Sequence, residues 1–444
     1  MAAGAVTADL ARWIARGDDP PTPRSRQAAC HALLDWAGVT LASVNDPLVK
    51  LLIEEAQTRG PGSPVIGTKH RCAPAIAARV NGAASHVLDF DDINKRMRGH
   101  PSVAILPAVL AACDDHTGAQ VIDALITGTE VACALGEMLG EAHYLRGFHT
   151  TATVGTVAAA AGVCRLLRLD QDASGRALSI AATQAAGLRA MFGTMVKPLH
   201  AGLAAERGLM AARWVVLGMS APLDGIEHPQ GLGPVLSDGF HPYNIRPDPS
   251  APFGIEENVY KRHAACYYTH SAIEVVQALC RDHGLTLSKI ERVTIGLQPG
   301  LHSVCDIKEP TTGLEVKFSI RHLVAMALSG RDTTNPEGFT EALAMDPDLV
   351  QLRQRVTVSP LETDNRMLAS ATITTSDGKR VDRQCDVSAP ASDLSAQEND
   401  LTAKFLRLAR PILGARAPDV AARILAVDDD RPIAQLLNDL TPET

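Results

Sequence analysis

The sequence predicts a mainly α protein, a helical domain with a smaller α+β domain inserted late. Three observations carry this. Only 4% of the 444 residues are aromatic while Ala and Gly abound, a composition that suits helices packed through small side chains better than β-sandwiches. Apolar residues recur at helical spacing over the first 190 or so positions, with no βαβ alternation. Runs rich in β-branched residues are confined to a late segment that helical patterns bracket. With 46% hydrophobic and 21% charged residues the chain can bury a large core, and its length exceeds what one ordinary core serves. The expected division is 1–262 and 393–444 for the helical domain, and 263–392 for the inserted one.

The elements follow in order. Leu10, Trp13 and Ile14 mark one helical face before Pro20 to Pro23 break the chain, and Ala28 to Ala42 resumes the pattern. Ala73 to Leu88, Ala104 to Cys113, Val121 to Leu139, Thr153 to Leu169 and Ala177 to Met191 continue it, with Gly, Pro and Asp as stops. From Leu217 to Tyr260 closely spaced Gly and Pro residues, such as Gly218, Pro222, Gly225, Pro229 and Gly231, make a long irregular segment. A helix is expected over Ser271 to Asp282, then strands at Ile290 to Leu297, Arg355 to Val358 and Ala371 to Thr374. Asp377-Gly378 reads as a hairpin turn into Arg380 to Gln384, since Asp-Gly tolerates the positive φ such turns need. Leu401, Phe405, Leu408 and Ile412 return the tail to helix.

Charge and cysteine usage exclude several classes. A formal net charge of −8 with dispersed Lys and Arg attracts neither a phosphate backbone nor an anionic membrane surface. The longest apolar runs, such as Val154 to Val163, fall short of the roughly 20 residues a membrane span requires, and Met1 to Thr22 lacks the pattern of a secretory leader. A cytoplasmic protein is expected. The nine cysteines are odd in number, scattered, and without a Cys-x-x-Cys pair, so reduced core thiols are expected in place of disulfides or a zinc site. There is no Gly-x-Gly-x-x-Gly after a strand, Gly-x-Ser-x-Gly, or P-loop.

Four constellations could carry chemistry. The first is His86-Val-Leu-Asp89-Phe-Asp91-Asp92, followed by Gly99-His100-Pro101-Ser102. Three acids in four residues repel one another and belong on a solvated concave surface or at a partnered site. His86 and Asp89 are three apart, but further metal ligands at the usual spacing are missing, so no metal is expected. Helix capping by the acids is the plainer alternative. The second is Gly147-Phe-His149-Thr-Thr151-Ala-Thr153 ahead of a small-residue helix, where a helix start attracts anions; an ordinary cap with a surface His fits equally. The third, Lys197-Pro-Leu-His200-Ala-Gly202, places a Lys between apolar segments, as an ion pair, a carboxylate receptor, or a solvated surface Lys. The fourth is Lys261-Arg-His-Ala-Ala-Cys-Tyr-Tyr-Thr-His270, a cationic cluster or a plain helix start. What remains is cofactor-free acid–base work on an anionic molecule.

Together with Gly313-Leu-Glu-Val-Lys-Phe-Ser319, these segments resemble the MmgE/PrpD family in order and over nearly the whole chain. The resemblance implies a large all-helical domain built from both chain ends with an inserted smaller α+β lid domain, a homodimer, and a site formed by Asp89, His100, His149, Lys197 and His270, with Asp92, Ile93, Thr151, Lys261 and His322 at substrate-binding positions. Lys197 and His270 would bind carboxylates, and His100 or His149 would carry the proton, since imidazole titrates near neutral pH. Two positions depart from the family's pattern: Ile93 stands where the lyases keep a Thr, and His322, after Arg321, stands where a Tyr is usual. The implied activity is a cofactor-independent lyase, a dehydratase or decarboxylase acting on a small di- or tricarboxylate or related acid. The alternatives are an isomerase or epimerase moving a proton beside a carboxylate, which Ile93 favours, and a non-catalytic binding protein that kept the fold.

Overall fold

Among the described residues of the first 216, nine α-helices set the architecture: α1 (Val6–Arg16), α2 (Pro23–Ala42), α3 (Pro47–Glu55), α4 (Pro74–Val87), α5 (Ser102–Ala111), α6 (Gly118–Leu145), α7 (Thr150–Leu166), α8 (Gln171–Gln184) and α9 (Val196–Val216). The computed structural model describes residues 5–16, 19–56, 62–113, 115–246 and 248–442. The chain forms two compact units, one of residues 1–260 with 390–444 and the other of residues 261–389.

Helix starts follow local chemistry. Thr22 accepts from the Ser25 N–H with Pro23 in the first turn, and Asp46 caps α3 ahead of Pro47. Thr117 and Gln120 form a reciprocal capping box on α6. The expected end of that helix at Leu139 falls beside Gly140, whose φ of 64° kinks the chain before helical bonding resumes to Leu145. The expectation of a helix running to Met191 is corrected. α8 stops at Gln184 and the chain turns extended, because Gly187 and Arg189 bond to the 147–149 segment instead.

Within the first unit the C-terminal segment returns to the N-terminal helices. The helix Leu394–Leu413 packs on α2, with Phe405 against Gly38. Backbone bonds from Gly67 to Leu440, Gly118 to Arg431 and Ile433 to His116 tie the last residues down. The core holds Trp36, Phe90, Leu33, Leu106 and Phe405 among many buried alanines. Small residues set the helix spacing: a Cβ at Gly202 in α9 would lie 2.2 Å from the Arg79 carbonyl oxygen in α4, and one at Gly82 in α4 would lie 2.8 Å from Gly202 Cα. The two helices therefore touch backbone to backbone, and both lead into the site.

Two-residue strands β1 (Ser63–Pro64) and β2 (Arg71–Cys72) form a small antiparallel pair in the first unit. In the second unit β3 (Ile290–Leu297), β4 (Val356–Pro360), β5 (Leu368–Thr375) and β6 (Arg380–Asp386) form one sheet in the order β4-β3-β5-β6. β3 runs parallel to β4 and antiparallel to β5, while β5 and β6 are joined by the Asp377-Gly378 turn, with Gly378 at φ 84°. Side chains of β5 alternate between buried and half-buried. Val293, Ile295 and Ala371 share a core with Ile273 and Val276 of the helix His270–His283 and Leu323 of the helix Ile320–Ser329. Seven of the nine cysteines are buried. Burial pushes the Cys30 and Cys164 thiols up to about 12 and Cys72 up to about 11, which makes them poor nucleophiles. Among the described residues no helix is long and apolar enough to cross a membrane.

Candidate active site

α4 delivers His86 in its last turn, and the chain then reverses through Asp89, which takes φ 51°, a left-handed conformation that Asp tolerates better than most residues. Phe90 plunges into the core. Its carbonyl oxygen receives the Lys404 ammonium at 2.7 Å, the same ammonium lies 2.7 Å from Asp35 Oδ1, and Lys404 Nζ sits 3.8 Å from the Phe90 ring centroid. The far C-terminal helix thus pins the turn that carries the acids.

Asp92, expected at a substrate-binding position, is held by the scaffold. Its carboxyl is fully buried and contacts the Ser102 hydroxyl at 2.6 Å and the Asn258 amide at 2.7 Å. Burial, reinforced by Asp35 and Asp91, pushes this acid well above the usual carboxylate range. Ile93 likewise serves the backbone, exchanging bonds with Val259 as an isolated β-bridge.

Asp91 lies at the centre. Its Oδ2 is 2.7 Å from His100 Nδ1 and 3.0 Å from His86 Nδ1. Despite that distance, His100 Nδ1 makes no hydrogen bond to the oxygen. The His86 and His100 rings are 4.7 Å apart, and His86 stacks at 5.9 Å on His149. His149 Nδ1 lies 3.1 Å from His200 Nδ1, so one of the two nitrogens carries the proton and the other accepts. Thr151 acts through backbone geometry: its hydroxyl accepts the His100 N–H at 3.2 Å, and Gly99 comes so close that a Cβ would lie 3.0 Å from Thr151 N. His149 is held by its own N–H to the Gly187 carbonyl, the bond that ended α8 early. Across from the imidazoles, Lys197 at the start of α9 reaches Asp89 Oδ1 at 2.7 Å.

The electrostatics separate these groups. Burial alone would raise Asp91, but His100 and His86 outweigh it and hold the carboxyl ionised, well below its usual range. Burial pushes His86 down to about 4, with Lys197 and His100 acting the same way and Asp91 opposing. His149 is driven well below its usual value by burial and then by His86 and Lys197. His200 is lowered by burial and Arg207. The edge open to solvent consists of Asp89 (30% exposed side chain), Lys197 (19%) and His100 (13%).

The structure therefore brings together Asp89, His100, His149, Thr151 and Lys197 from four separate stretches. It adds His86, Asp91, His200 and Phe192, whose ring meets His149 edge-on at 5.0 Å, as neighbours not expected to take part. His86 and Asp91, five apart across a helix end, and Lys197 and His200, three apart on one helix, were the available signals. His86, Asp89 and His100 each bring a ligand atom within 4.8 Å of the others, a set able to hold a divalent ion. The Lys197 ammonium already on Asp89 opposes a second cation there.

The second unit carries its own cluster. Lys261 and His270 are both buried; His270 Nε2 lies 3.3 Å from the Ala265 carbonyl, and its ring packs at 4.9 Å on His263 and 5.1 Å on Tyr267. His263 in turn meets Thr333 Oγ1 at 2.7 Å and Glu274 at 3.4 Å. His322, expected at a substrate-binding position, is fully buried in this unit with Nδ1 at 3.5 Å from Arg353. Arg321 is used by Asp306 and the Val356 carbonyl.

The chain is a member of the MmgE/PrpD family: residues 8–243 match the MmgE/PrpD N-terminal domain and residues 263–430 the C-terminal domain. It is 25% identical over a 483-residue alignment to the cis-aconitate decarboxylase of Aspergillus terreus (strain NIH 2624 / FGSC A1156), covering 98% of this chain and 96% of that one. It is 27% identical to the human cis-aconitate decarboxylase over 353 residues, 76% of this chain and 72% of that one. A cis-aconitate decarboxylase-like protein, oryM of Aspergillus oryzae, is 32% identical over 224 residues, 47% of this chain and 46% of its own.

Proposed function

We propose that this protein is a lyase that decarboxylates a small unsaturated polycarboxylate of the cis-aconitate type, without metal or organic cofactor. The observation that carries the reading is the ionised Asp91 beside His100, with Lys197 on the same edge, in a chain that aligns over 98% of its length with a relative named cis-aconitate decarboxylase. A substrate carboxylate would take the Lys197 ammonium in exchange for Asp89. As the bond to the departing carboxylate breaks, its electron pair passes to the carbon framework, carbon dioxide leaves, and the pair is quenched by a proton. His100, on the open edge with its Nδ1 2.7 Å from Asp91, supplies that proton. His149, driven toward its neutral form, hydrogen-bonds the substrate and leaves the proton to His100. The proposal includes a cytoplasmic homodimer that meets neither nucleic acid nor membrane surface, in keeping with the net charge of −8.

The test is incubation with cis-aconitate and a panel of citrate-like acids in deuterated water. Decarboxylation releases carbon dioxide and places one deuteron on product carbon. Loss of water without carbon dioxide would make the protein a dehydratase, and solvent deuterium in an unfragmented acid would make it an epimerase. Turnover is expected to survive dialysis against EDTA; loss restored by a divalent ion would overturn the cofactor-free reading. No turnover of any acid, together with unchanged cellular function of Lys197→Ala, would favour a binding protein.

A further inference from the structure

We infer that Phe192 is a specificity-determining residue: its ring forms an apolar wall beside the Lys197 ammonium, so that the site selects polycarboxylates whose carbon skeleton carries no hydroxyl group. The inference rests on the reading of Lys197 as a carboxylate receptor, and it narrows the proposed substrate class to hydroxyl-free acids.

Phe192 follows the short turn Arg189–Met191 and stays 38% exposed at the edge of the site. Its ring meets His149 edge-on at 5.0 Å, and its centroid lies 5.7 Å from Lys197 Nζ. A substrate held by both of those groups therefore lies along the ring that neighbours both. Leu188, Met195 and Val196 on the same stretch are exposed too, and they extend the apolar surface. The polar groups there are already engaged. The Thr194 hydroxyl donates to the Met191 carbonyl at 2.7 Å and accepts from the Val196 N–H, while Arg189 Nη1 donates to the Tyr144 carbonyl at 3.0 Å with its guanidinium 3.8 Å from the Tyr144 ring centroid. A hydroxyl pressed against such a wall gives up its bonds to water and finds no partner, whereas carbon laid on an exposed ring removes apolar surface from water. The discrimination is bounded, since an apolar site rejects an isostere that merely adds a hydroxyl by about 10²-fold. A dehydratase must accept a hydroxy acid, so the wall also favours decarboxylation of an unsaturated acid over loss of water.

The test compares two acids that differ by one hydroxyl, tricarballylate and citrate, by titration calorimetry above neutral pH, where both are fully ionised. Tricarballylate should bind the unsubstituted protein about 10- to 100-fold more tightly than citrate. Equal affinities, or tighter citrate, overturn the proposal before any variant is made. Phe192→Ser opens the wall to water and should cut the ratio to about twofold, mostly by weakening tricarballylate. Phe192→Leu keeps an apolar side chain and should retain most of the ratio. A ratio unmoved in Phe192→Ser places the discrimination elsewhere, and one lost equally in both variants shows that ring shape and not apolarity is read; either result overturns the proposal. Lys197→Met separates this inference from the reading beneath it. Tricarballylate binding that Lys197→Met weakens about 10²-fold or more upholds the carboxylate receptor whatever Phe192 does. Binding indifferent to Lys197→Met, or binding of neither acid, removes that reading and the role of Phe192 with it.

Discussion

The Lys197 ammonium rests 2.7 Å from Oδ1 of Asp89, joining the first turn of α9 to a left-handed residue just past the end of α4. Both side chains remain partly exposed, and pairs in such settings contribute only about 0–1 kcal/mol to stability. The pair therefore makes better sense as a cation held ready for exchange than as a brace.

Lys197→Met should accordingly separate binding from folding. KM for a carboxylate substrate should rise by about 10²-fold or more, the cost of losing a charge-assisted contact, while stability changes by less than about 1 kcal/mol. Steady-state kinetics beside urea unfolding checks both. A large loss of stability with KM unmoved would return Lys197 to the scaffold. Lys197→Arg should recover part of the binding only, because a planar guanidinium does not replace a compact ammonium on the same ligand.

Gly202→Ala should damage the site from a distance. The new methyl would sit 2.2 Å from the Arg79 carbonyl oxygen and 3.1 Å from the Ala83 nitrogen, both backbone atoms that cannot rotate aside. α4 and α9 must separate, at a cost of about 1–3 kcal/mol, and Lys197 and His200 then move relative to Asp89 and His86. Activity should fall more than the loss of folded protein explains, measured on samples matched for native content by circular dichroism. Equal activity per folded molecule would show that the site tolerates the shift.

Such dependence explains which parts were legible in the sequence. Helical periodicity and Gly/Pro stops marked the helices because burial and propensity are local properties, and Asp377-Gly378 announced its hairpin for the same reason. The end of α8 was not legible: its helical pattern ran on through Met191, and only the tertiary bonds of Gly187 and Arg189 to the 147–149 segment override it. In the site, Asp89, His100, His149 and Lys197 stood out by residue type and motif. Asp91 and Asp92 look alike in the sequence, yet one faces two imidazoles and the other Ser102 and Asn258. That division is decided by the positive φ at Asp89 and by Lys404 gripping the Phe90 carbonyl from more than three hundred residues away, neither of which has a local signature.

The Lys404 contact makes its own prediction. Lys404 and Asp35 are almost fully buried, and removing one member of a buried pair costs about 3–5 kcal/mol because the other charge is left without compensation. Lys404→Met should destabilise by that amount and also loosen the turn 89–92, lowering kcat in the molecules that stay folded. The double variant Asp35→Leu/Lys404→Met should regain much of the stability but not the activity, since the Phe90 carbonyl still lacks its donor. Denaturant unfolding and kinetics on the three variants decide this. Full recovery of both would show that the ammonium matters only to Asp35.

Stability should also fall with acid in a window that carboxylates do not explain. His86 binds its proton at about 4 in the folded protein, below the ordinary imidazole value of about 6.5 that applies once the chain unfolds. The unfolded chain therefore takes up a proton that the folded one refuses. Stability from this group is complete above about pH 6.5 and is lost as pH falls toward about 4, by at most about 3 kcal/mol. His149 and His200, also lowered by burial, act in the same direction. Asp91 keeps its charge in the folded protein, so its own contribution is lost only as the unfolded carboxylate begins to take up protons, below about pH 5. Urea unfolding at pH 7 and pH 5 should show a clear loss for the unsubstituted protein and a smaller one for His86→Phe, which has no proton to refuse. An equal loss in both would mean that His86 is protonated in the folded state, paired as a cation with Asp91.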